Sequence, residues 1–547
     1  MVRLLLIDAN ARMSGKRLTT LDVIGAGPRY VLSVLRRHGI DAVLEPYENV
    51  VTSKGLKDFD VLAVSFMISD VEAVRKLISW WKRRKPDGIV MLGGPGALSP
   101  NILEKLDFDL AIVGECELVV PEIVKKGVFE DRSRLDDLIG LKGVAVKLKG
   151  KVFWGGLAPW TPREVMEQYM PDTDSVAKYP FYWACRVYVE VVRGCSNFRR
   201  AKLYRECDLC NICRQGPLDA RLRCPRNVAP GCGYCSVPSV HGPPRSRSIE
   251  SIVSEVEKLL ELGVTRIVLS APDFLDYGRD LLVHPHPLTD PREPPPNIDV
   301  IEKLLSKLSA LEPVLEGVAC ISIENVKPCL VNEYVAEVLG KYLKGTVVYI
   351  GLESGSDELL DRVGRPCSVS EAIRCIELLK KYGLRPYVYL MHGIPTETDD
   401  DVKKTVELVD LLEKIGVERI VLYRFRPLPF SAFEKAELPP PAIAKPSTRE
   451  LYERVRKFNE ARKRELLNRV IRAVIASSYP KKRGYVVAYP LLHGPTIVIR
   501  ASRNYIGAVV DVKIVKVVSD RLVEGMLLRV RKRIVRIEKY ARDISMR

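Results

Sequence analysis

The sequence predicts an α/β protein with a doubly wound parallel sheet at the N-terminus, a partial β/α barrel in the centre and a small β-barrel at the C-terminus. Residues 1–150 and 185–440 each alternate short runs of valine, isoleucine and leucine with amphipathic helical stretches. This pattern is typical of parallel strands that are covered by helices. From residue 481 the apolar residues recur with a period of two, which favours short barrel strands. Residues 151–184 are predicted to be a connector and residues 445–480 a helical linker.

The first series contains strands such as RLLLIDA, FDVLAVSF and GIVMLGG, with helices such as VEAVRKLISWWKRR between them. Ligands of doubly wound sheets bind beyond the carboxyl ends of the strands. Gly93–Ala97 and Gly114–Glu117 fall at two of those ends. Glycine lets a ligand approach the backbone, and it also permits a tight strand-to-helix turn. Both roles stay open at these positions.

The central series begins at VYVEVVRGC and continues through RIVLSAPD, GVACISIE, TVVYIGLE, RPYVYLMHGIP and ERIVLYRF. Amphipathic helices such as IESIVSEVEKLLELG separate these strands. Six successive units of this kind indicate a partial barrel. The active site of such a barrel is expected at the carboxyl ends of its strands.

The chain of 547 residues carries a formal charge of +17, with 86 Lys and Arg against 69 Asp and Glu. Sixteen basic against five acidic residues lie in residues 481–547. Such an excess favours a polyanionic partner such as RNA, although a solvated basic surface has the same composition. No apolar run is long enough for a membrane span, and the start resembles a buried strand rather than a signal peptide. We therefore expect a cytoplasmic protein.

Seven of the thirteen cysteines lie between residues 195 and 235. Clustered cysteines in a large chain of intracellular type indicate metal rather than disulfides. Three assignments are open. The first assignment is a zinc site of Cys207, Cys210, Cys232 and Cys235. The second places Cys207, Cys210, Cys213 and Cys224 on one metal centre and Cys195, Cys232 and Cys235 on another. The third replaces Cys195 with Cys224 in the three-ligand site.

The second assignment uses every thiol. A C-x2-C-x2-C run with a fourth cysteine nearby is typical of iron–sulfur ligation. Three thiolates on a four-iron cluster leave one iron open for a substrate or cofactor. Cys195 ends a barrel strand, where the active site is expected, and this favours it over Cys224.

The segment from RGC to CGYCSVPSVHGPPRSRS, with LSAPDFLDYGRD, IGLESGSDELLDRVGR and MHGIPTETDDDV, resembles radical S-adenosylmethionine (SAM) enzymes, especially methylthiotransferases. The resemblance implies that Cys195, Cys232 and Cys235 hold a 4Fe-4S cluster that binds SAM and receives electrons from a donor. Residues 185–440 would be the radical SAM barrel, with a Cys-rich insertion at 196–231. Residues 481–547 resemble the RNA-binding TRAM barrel, and residues 1–150 resemble a cobalamin-binding domain.

The resemblance also implies SAM contacts at the strand ends, where strand-end caps or loop turns are the alternative. Ser322 and Glu324 alternate with apolar neighbours and are predicted to face one side of their strand. His392 is an acid/base candidate, and no catalytic residue is assigned. The predicted cofactor-binding residues are Tyr234, Pro272, Asp273, Ser322, Glu324, Glu353, Gly393 and Pro395.

Two features differ from the related enzymes. The first cluster spacing is thirty-six residues instead of three, and the four additional thiols lie within it. The N-terminal region has a single cysteine, Cys116, so a sulfur-donating cluster there would lack ligands. Where cobalamin-binding domains carry the motif D-x-H-x-x-G, this chain has DANARMSG, which contains no histidine. Either cobalamin binds without a histidine ligand to its cobalt, or the sheet binds no cobalamin.

The sequence therefore predicts a radical SAM iron–sulfur transferase that modifies RNA, in particular tRNA, by methylthio or methyl transfer through a 5′-deoxyadenosyl radical. One alternative is a cobalamin-dependent radical SAM methyltransferase that acts on a small molecule or lipid. Another is a non-enzymatic RNA-binding protein whose fold is stabilised by bound zinc or iron. The metal at the four-cysteine site, a cluster or a single ion, stays open.

Overall fold

The computed structural model describes residues 2–9, 13, 21–51 and 58–535. The chain divides into two compact units. The first consists of Met1–Val189 with Arg247–Leu262, and the second of Glu190–Ser246 with Gly263–Arg547. Within the described residues, we found no helix of the length and apolar character that a membrane crossing requires.

The strands alternate with helices over most of the chain and follow one another directly near its C-terminus. In chain order they are β1 (Arg3–Asp8), β2 (Val23–Ile24), β3 (Asp41–Pro46), β4 (Val61–Ser65), β5 (Ile89–Gly93), β6 (Leu110–Ile112), β7 (Val144–Leu148), β8 (Lys151–Trp154), β9 (Arg186–Glu190), β10 (Val192–Arg193), β11 (Arg245–Ser246), β12 (Arg266–Ser270), β13 (Cys320–Ile323), β14 (Asn325–Val326), β15 (Val347–Glu353), β16 (Arg385–His392), β17 (Arg419–Arg424), β18 (Val470–Ser478), β19 (Tyr485–Pro490), β20 (Thr496–Arg500), β21 (Ala508–Val517) and β22 (Leu522–Arg533).

The helices range from single turns to a long helix before the last five strands. They are α1 (Gly27–Arg37), α2 (Tyr47–Val51), α3 (Val71–Lys82), α4 (Pro100–Glu104), α5 (Val119–Lys125), α6 (Arg163–Met166), α7 (Cys207–Cys210), α8 (Ile212–Gln215), α9 (Val237–His241), α10 (Ile249–Glu261), α11 (Arg279–Val283), α12 (Ile298–Ser309), α13 (Glu312–Leu315), α14 (Glu333–Leu343), α15 (Asp357–Arg362), α16 (Val369–Lys381), α17 (Asp399–Ile415) and α18 (Pro446–Arg464).

The first unit is built on a seven-stranded sheet in the order β3-β1-β4-β5-β6-β7-β8. The first five strands in this order pair in parallel, and β7 and β8 continue the sheet antiparallel. Leu4 and Leu6 belong to one buried core, and Leu5 and Ile7 to another. Alternate residues of a strand point to opposite faces, so both faces of the sheet are covered, as predicted. Because β8 joins this sheet, it extends into the predicted connector.

The glycines at the strand ends of the first unit support tight turns. Gly94 has φ +81°, and a Cβ there would lie 3.0 Å from the carbonyl oxygen of Phe66. A Cβ at Gly96 would lie 2.2 Å from the Phe66 ring, whereas Gly93 faces open space. The close turn therefore accounts for Gly94 and Gly96 without a ligand, and Gly93 leaves room for one. The DANARMSG stretch lies for the most part outside the described residues.

The second unit contains the central β/α units. Strand β12 pairs in parallel with β13, and β14, β15, β16 and β17 form a parallel sheet. Glu324 lies between β13 and β14, where the chain passes from one sheet to the next. Helix α10, which the sequence placed with the central series, groups with the first unit. There Glu255 of α10 pairs with Arg29 at 2.9 Å, and both side chains are fully buried.

The last five strands close into a barrel in the order β18-β19-β20-β22-β21. This confirms the predicted small barrel, but its first strand begins at Val470 rather than after residue 480. Helix α18 ends at Arg464 instead of continuing through the predicted linker. Strand β18 pairs on both sides, with β19 and with β21. This pairing makes an extended backbone more favourable than the helix that the local sequence also allows.

Candidate iron and cofactor site

Cys195 lies directly after β10, on a turn that requires glycine. Gly194 has φ +91°, and a Cβ there would come within 2.3 Å of the carbonyl oxygen of Pro243. The Cys195 backbone N–H donates to the Gly242 carbonyl at 3.1 Å. The RGC motif therefore fixes the direction in which the Cys195 side chain leaves the strand.

The GCGYC loop is held by two neighbouring segments of the second unit. The N–H of Gly233 donates to the Val363 carbonyl at 2.7 Å, and the N–H of Phe433 donates to the Gly233 carbonyl at 3.0 Å. A Cβ at Gly233 would lie 2.5 Å from the Phe433 ring. Within the loop, Cys235 N–H donates to the Cys232 carbonyl at 2.7 Å. This short turn brings Cys232 and Cys235 close together.

Cys195, Cys232 and Cys235 lie close together. Asn197 contacts two of them: its backbone N–H lies 3.5 Å from Cys195 Sγ, and its Nδ2 donates to Cys232 Sγ at 3.3 Å. Burial raises the pKa of Cys195 to about 11 and that of Cys235 to about 12, and the neighbouring Cys232 sulfur adds to both shifts. Metal binding requires thiolates, so a bound cation would have to offset this cost.

The other four cysteines surround a separate cavity of about 130 Å³. Helices α7 and α8 meet at Asn211, whose φ of +49° turns the chain. Cys210 is exposed and the other three thiols are half-buried. The cavity is lined by Cys207, Cys210, Cys213 and Cys224 together with Arg200, Lys202, Arg214, Arg223 and Arg226.

The grouping of the thiols favours one of the three assignments. Cys224 lies on the cavity with Cys207, Cys210 and Cys213, whereas Cys232 and Cys235 do not line it. Cys195 lies near Cys232, because Asn197 contacts the sulfurs of both. Across residues 2–9, 13, 21–51 and 58–535, however, no three His, Cys, Asp or Glu side chains converge as they would on one ion. A four-iron cluster takes each thiolate on a different iron, so its ligands stand further apart than those of a single zinc ion.

Arg365 connects the cysteines to the predicted Glu353. Its Nη1 lies 3.5 Å from Cys232 Sγ and its Nη2 lies 3.9 Å from Glu353 Oε1. Glu353 ends β15 with φ +74°, a strained conformation for a residue with a side chain. Burial raises the pKa of the Glu353 carboxyl, and the Arg365 guanidinium opposes that rise. Tyr234 packs beside them, against an apolar cluster that includes Phe433.

The predicted Asp273 belongs to a buried ionic network behind Cys195. Its Oδ2 accepts from Lys327 Nζ at 2.9 Å, and its Oδ1 accepts from the Lys327 backbone N–H at 2.9 Å. Lys327 Nζ also donates to Asp276 at 2.7 Å and to Ser196 Oγ at 2.7 Å. Burial raises the pKa of Asp273, whereas Lys327 and Arg279 hold the pKa of Asp276 below its usual value despite burial. The carboxylate of Asp273 is therefore engaged within the protein.

The remaining predicted residues lie at neighbouring strand ends. Pro272 follows β12. Glu324 Oε2 accepts from Ser270 Oγ at 2.9 Å, and Ser322 Oγ donates to the Ile267 carbonyl at 3.1 Å. These contacts fit strand-end caps as well as ligand contacts, so the assignment of these side chains to SAM stays a prediction.

The end of β16 carries the HGIP loop. Gly393 N–H donates to Glu397 Oε2 at 2.6 Å, and Gly393 has φ +74°. Burial raises the pKa of Glu397 to about 7. Burial, with the Arg424 guanidinium, lowers the pKa of His392. Pro395 follows in the same loop, beside Ile394 of the apolar cluster that also contacts Tyr234.

Sequence reasoning missed the side chains that support the cysteines. Asn197, Lys327 and Arg365 are ordinary polar residues in the sequence, and their partners lie far away along the chain. Arg365 is the last residue of the stretch GLESGSDELLDRVGR, which resembles radical SAM enzymes, and this resemblance was the one sequence feature that pointed to it.

Comparisons with known proteins identify the family of the chain. Residues 222–409 match the radical SAM superfamily. An uncharacterized protein of Methanopyrus kandleri is 36% identical over 96% of this chain and 96% of its own length. The ribosomal protein uS12 methylthiotransferase RimO of Pseudothermotoga lettingae is 28% identical over 48% of this chain and 51% of its own length. The structure of the radical SAM methyltransferase TsrM from Kitasatospora setae, with cobalamin and a 4Fe-4S cluster bound, has a TM-score of 0.56, 16% identity, and covers 79% of this chain and 77% of its own.

The chain therefore belongs to the radical SAM superfamily. Within it, the Methanopyrus kandleri protein is a relative over almost the whole length. The likeness to TsrM, at 16% identity, concerns the fold alone. The superfamily fold implies a 4Fe-4S cluster and SAM as cofactors.

Proposed function

We propose that this protein is a radical SAM transferase that modifies RNA, with tRNA as its substrate, by methylthio or methyl transfer. The observation that carries the proposal is the grouping of Cys195, Cys232 and Cys235 at the strand ends of the β/α units, apart from the other four cysteines. Partial sequence similarity to RimO, a methylthiotransferase, supports group transfer as the reaction class.

The residues present fit a four-iron cluster. Cys195, Cys232 and Cys235 would hold it, and N–H groups of Asn197 and Arg365 lie within 3.5 Å of Cys232 Sγ. Hydrogen bonds to the sulfurs and exclusion of solvent tune such clusters. A cluster bound there would supply the electron that cleaves SAM into methionine and a 5′-deoxyadenosyl radical.

The surrounding residues would orient the thiols and keep water out. Lys327 and Asp276 fix Ser196, the residue that follows Cys195, through buried hydrogen bonds. Phe433 packs under Gly233 between the other two cysteines. Exclusion of water protects a reactive radical from side reactions.

The C-terminal barrel supports RNA as the substrate class. Lys516 of β21 and Arg529 and Arg533 of β22 are exposed, as are the apolar residues Met526 and Leu528 of β22. Basic side chains neutralise phosphates, and apolar surface between them suits unpaired bases. The similarity to a tRNA-2-methylthio-N(6)-dimethylallyladenosine synthase of Finegoldia magna, 25% identical over 53% of this chain, supports tRNA in particular.

The first experiment separates an enzyme from a metal-stapled binding protein. Full-length protein is reconstituted without oxygen with iron and sulfide, reduced, and assayed with SAM for 5′-deoxyadenosine. We expect iron-dependent formation of this product in the wild type and its loss in Cys232→Ala, with Cys116→Ala as the control. Protein that holds zinc and cleaves no SAM would refute the proposal. Nucleosides of RNA from cells with and without the protein, compared by mass spectrometry, then test the substrate.

The second experiment tests the barrel as the RNA docking element. The triple variant Lys516→Gln, Arg529→Gln, Arg533→Gln should bind tRNA more weakly, with a shallower dependence of log affinity on log salt. Each lost phosphate contact should reduce that slope by about 0.7–0.9. The control variant Lys105→Gln, Lys303→Gln, Lys344→Gln removes the same charge from exposed positions elsewhere. Equal salt slopes for the two variants would contradict docking at the barrel.

A second candidate is a cobalamin-dependent radical SAM methyltransferase that acts on a small molecule or lipid. The parallel sheet of the first unit, with open space at Gly93, favours it. The TsrM structure was determined with cobalamin bound. Titration of the full-length protein with hydroxocobalamin, followed by its visible spectrum, tests this candidate. Protein that elutes from gel filtration of the mixture without cobalamin absorbance would exclude it.

A further inference from the structure

Cys329 and Cys367 form a thiol pair outside the cysteine-rich segment. They are 38 residues apart in the chain, yet the Cys367 and Cys329 sulfur atoms lie 2.7 Å apart. The Cys329 backbone N–H also points to Cys367 Sγ, at 3.3 Å. Cys329 lies in the turn Pro328–Leu330 after β14, and Cys367 lies just before α16. The two sulfurs are therefore placed for a bond without a rearrangement of the fold.

The two thiols have different environments. Cys367 is 6% exposed, and burial raises its pKa well above the usual value. Cys329 is only half-buried, and the adjacent Cys367 thiol, with the charges of Arg292 and Lys327, lowers its pKa. A reactive cysteine is typically accessible, lies in an electropositive environment and often has a resolving cysteine next to it. Cys329 has the properties of the attacking thiol, and Cys367 those of the resolving thiol.

Both segments of this pair also support the cluster cysteines. Lys327, two residues before Cys329, donates to Ser196 Oγ beside Cys195. Arg365, two residues before Cys367, contacts Cys232 Sγ. Arg292 donates to the Pro366 carbonyl at 2.7 Å and holds the second segment in place. A bond between the two sulfurs would join the two segments that support the cluster cysteines.

We propose that Cys329 and Cys367 are a redox-active dithiol that reacts with low-molecular-weight disulfides and closes to an internal disulfide. The Cys329 sulfur attacks one sulfur of the small disulfide, whose S–S bond breaks and releases one small thiol that takes up the Cys329 proton. Cys367 then attacks Cys329 Sγ in the mixed disulfide and expels the second small thiol, which takes up the Cys367 proton. The two cysteines lose two electrons in total, and the small disulfide gains them.

Glutathione disulfide is the probe for this exchange. Reconstituted full-length protein is reduced, freed of reductant and incubated anaerobically with glutathione disulfide. The remaining thiols are then blocked, and the protein is digested without reduction for mass spectrometry. We expect a cross-linked peptide pair that contains Cys329 and Cys367, with two glutathiones released per cross-link formed. The assay does not use SAM cleavage, so it can fail or succeed independently of the proposed function.

Two variants and a control identify the order of events. Cys367→Ala should accumulate a glutathione adduct on Cys329, whereas Cys329→Ala should leave the buried Cys367 unmodified. Cys320→Ala, which removes another buried thiol of the same unit, should still form the cross-link. A wild-type digest without this cross-link overturns the proposal even if a variant fails to fold. So does a wild-type digest in which glutathione stays bound to Cys329 because Cys367 does not displace it.

Discussion

At the scale of single residues, the site depends on polar side chains that connect distant segments. Asn197, Lys327 and Arg365 each contact a cysteine or the residue beside one. The cysteines themselves were predictable because their spacing is visible in the sequence. Their supporting residues were not, because a single arginine or lysine has no pattern and its partner lies more than a hundred residues away.

Replacement of Arg365 tests this support. Arg365→Gln removes the charge and the contact with Cys232 Sγ but leaves the cysteines in place. Loss of such an outer contact typically lowers metal affinity or activity roughly 10- to 100-fold. The iron retained after dialysis, together with 5′-deoxyadenosine formation, measures the effect. Arg456→Gln, which breaks an exposed ion pair on α18, is the control and should change neither quantity.

Glu397 predicts how stability depends on pH. Burial raises its pKa from 4.5 to about 7, so between these values the folded protein binds more protons than the unfolded chain. This contribution to stability is complete below about pH 4.5 and is lost as the pH rises through 7, on the order of 1–3 kcal/mol. Glu397→Gln keeps an acceptor for Gly393 N–H and should remove this loss. Denaturant unfolding from pH 5 to 8 measures it, and parallel curves for the two proteins would contradict the prediction.

At the scale of elements, glycine-dependent turns decide where the strand ends point. The RGC turn combines φ +91° at Gly194 with a carbonyl that leaves no room for a Cβ. The sequence predicted that Cys195 follows a strand, because the apolar run that ends there is visible. It did not predict that β10 pairs with β11, since this pairing joins residues about fifty positions apart.

Gly194→Ala tests the turn. Positive φ and the contact with Pro243 should destabilise the second unit by about 1–3 kcal/mol. Gly25→Ala is the matched control, because a Cβ there meets no atom within 4 Å and Gly25 is not among the glycines of positive φ. Denaturation midpoints of both variants provide the comparison. A midpoint for Gly194→Ala equal to that of Gly25→Ala would show that the turn tolerates a side chain.

At the scale of the whole molecule, the seven clustered cysteines form two groups within one unit. Their separation predicts the metal content of the chain. Two four-iron clusters would give about eight iron atoms per chain. Removal of one group should leave the other, since the four-cysteine cavity does not include Cys232 or Cys235.

The variant Cys207→Ser, Cys213→Ser tests this separation. After anaerobic reconstitution it should hold about half of the wild-type iron and still form 5′-deoxyadenosine. Iron and zinc analysis of wild type and variant, beside Cys195→Ala, gives the stoichiometry of each group. If the wild type holds zinc and no more iron than the double variant, the four-cysteine cavity binds a single zinc ion. Complete loss of iron in the double variant would mean that the two groups hold one centre.

The sequence alone determined the succession of β/α units, the small C-terminal barrel and the clustering of the thiols along the chain. Each of these features repeats or clusters locally, so hydrophobic periodicity and residue spacing record it. Only the tertiary structure decided which thiols share a site, where the last barrel begins, and that α10 groups with the first unit through Glu255 and Arg29. These features depend on pairings between distant residues, and the free energy of such a pairing is not encoded in the local sequence around either partner.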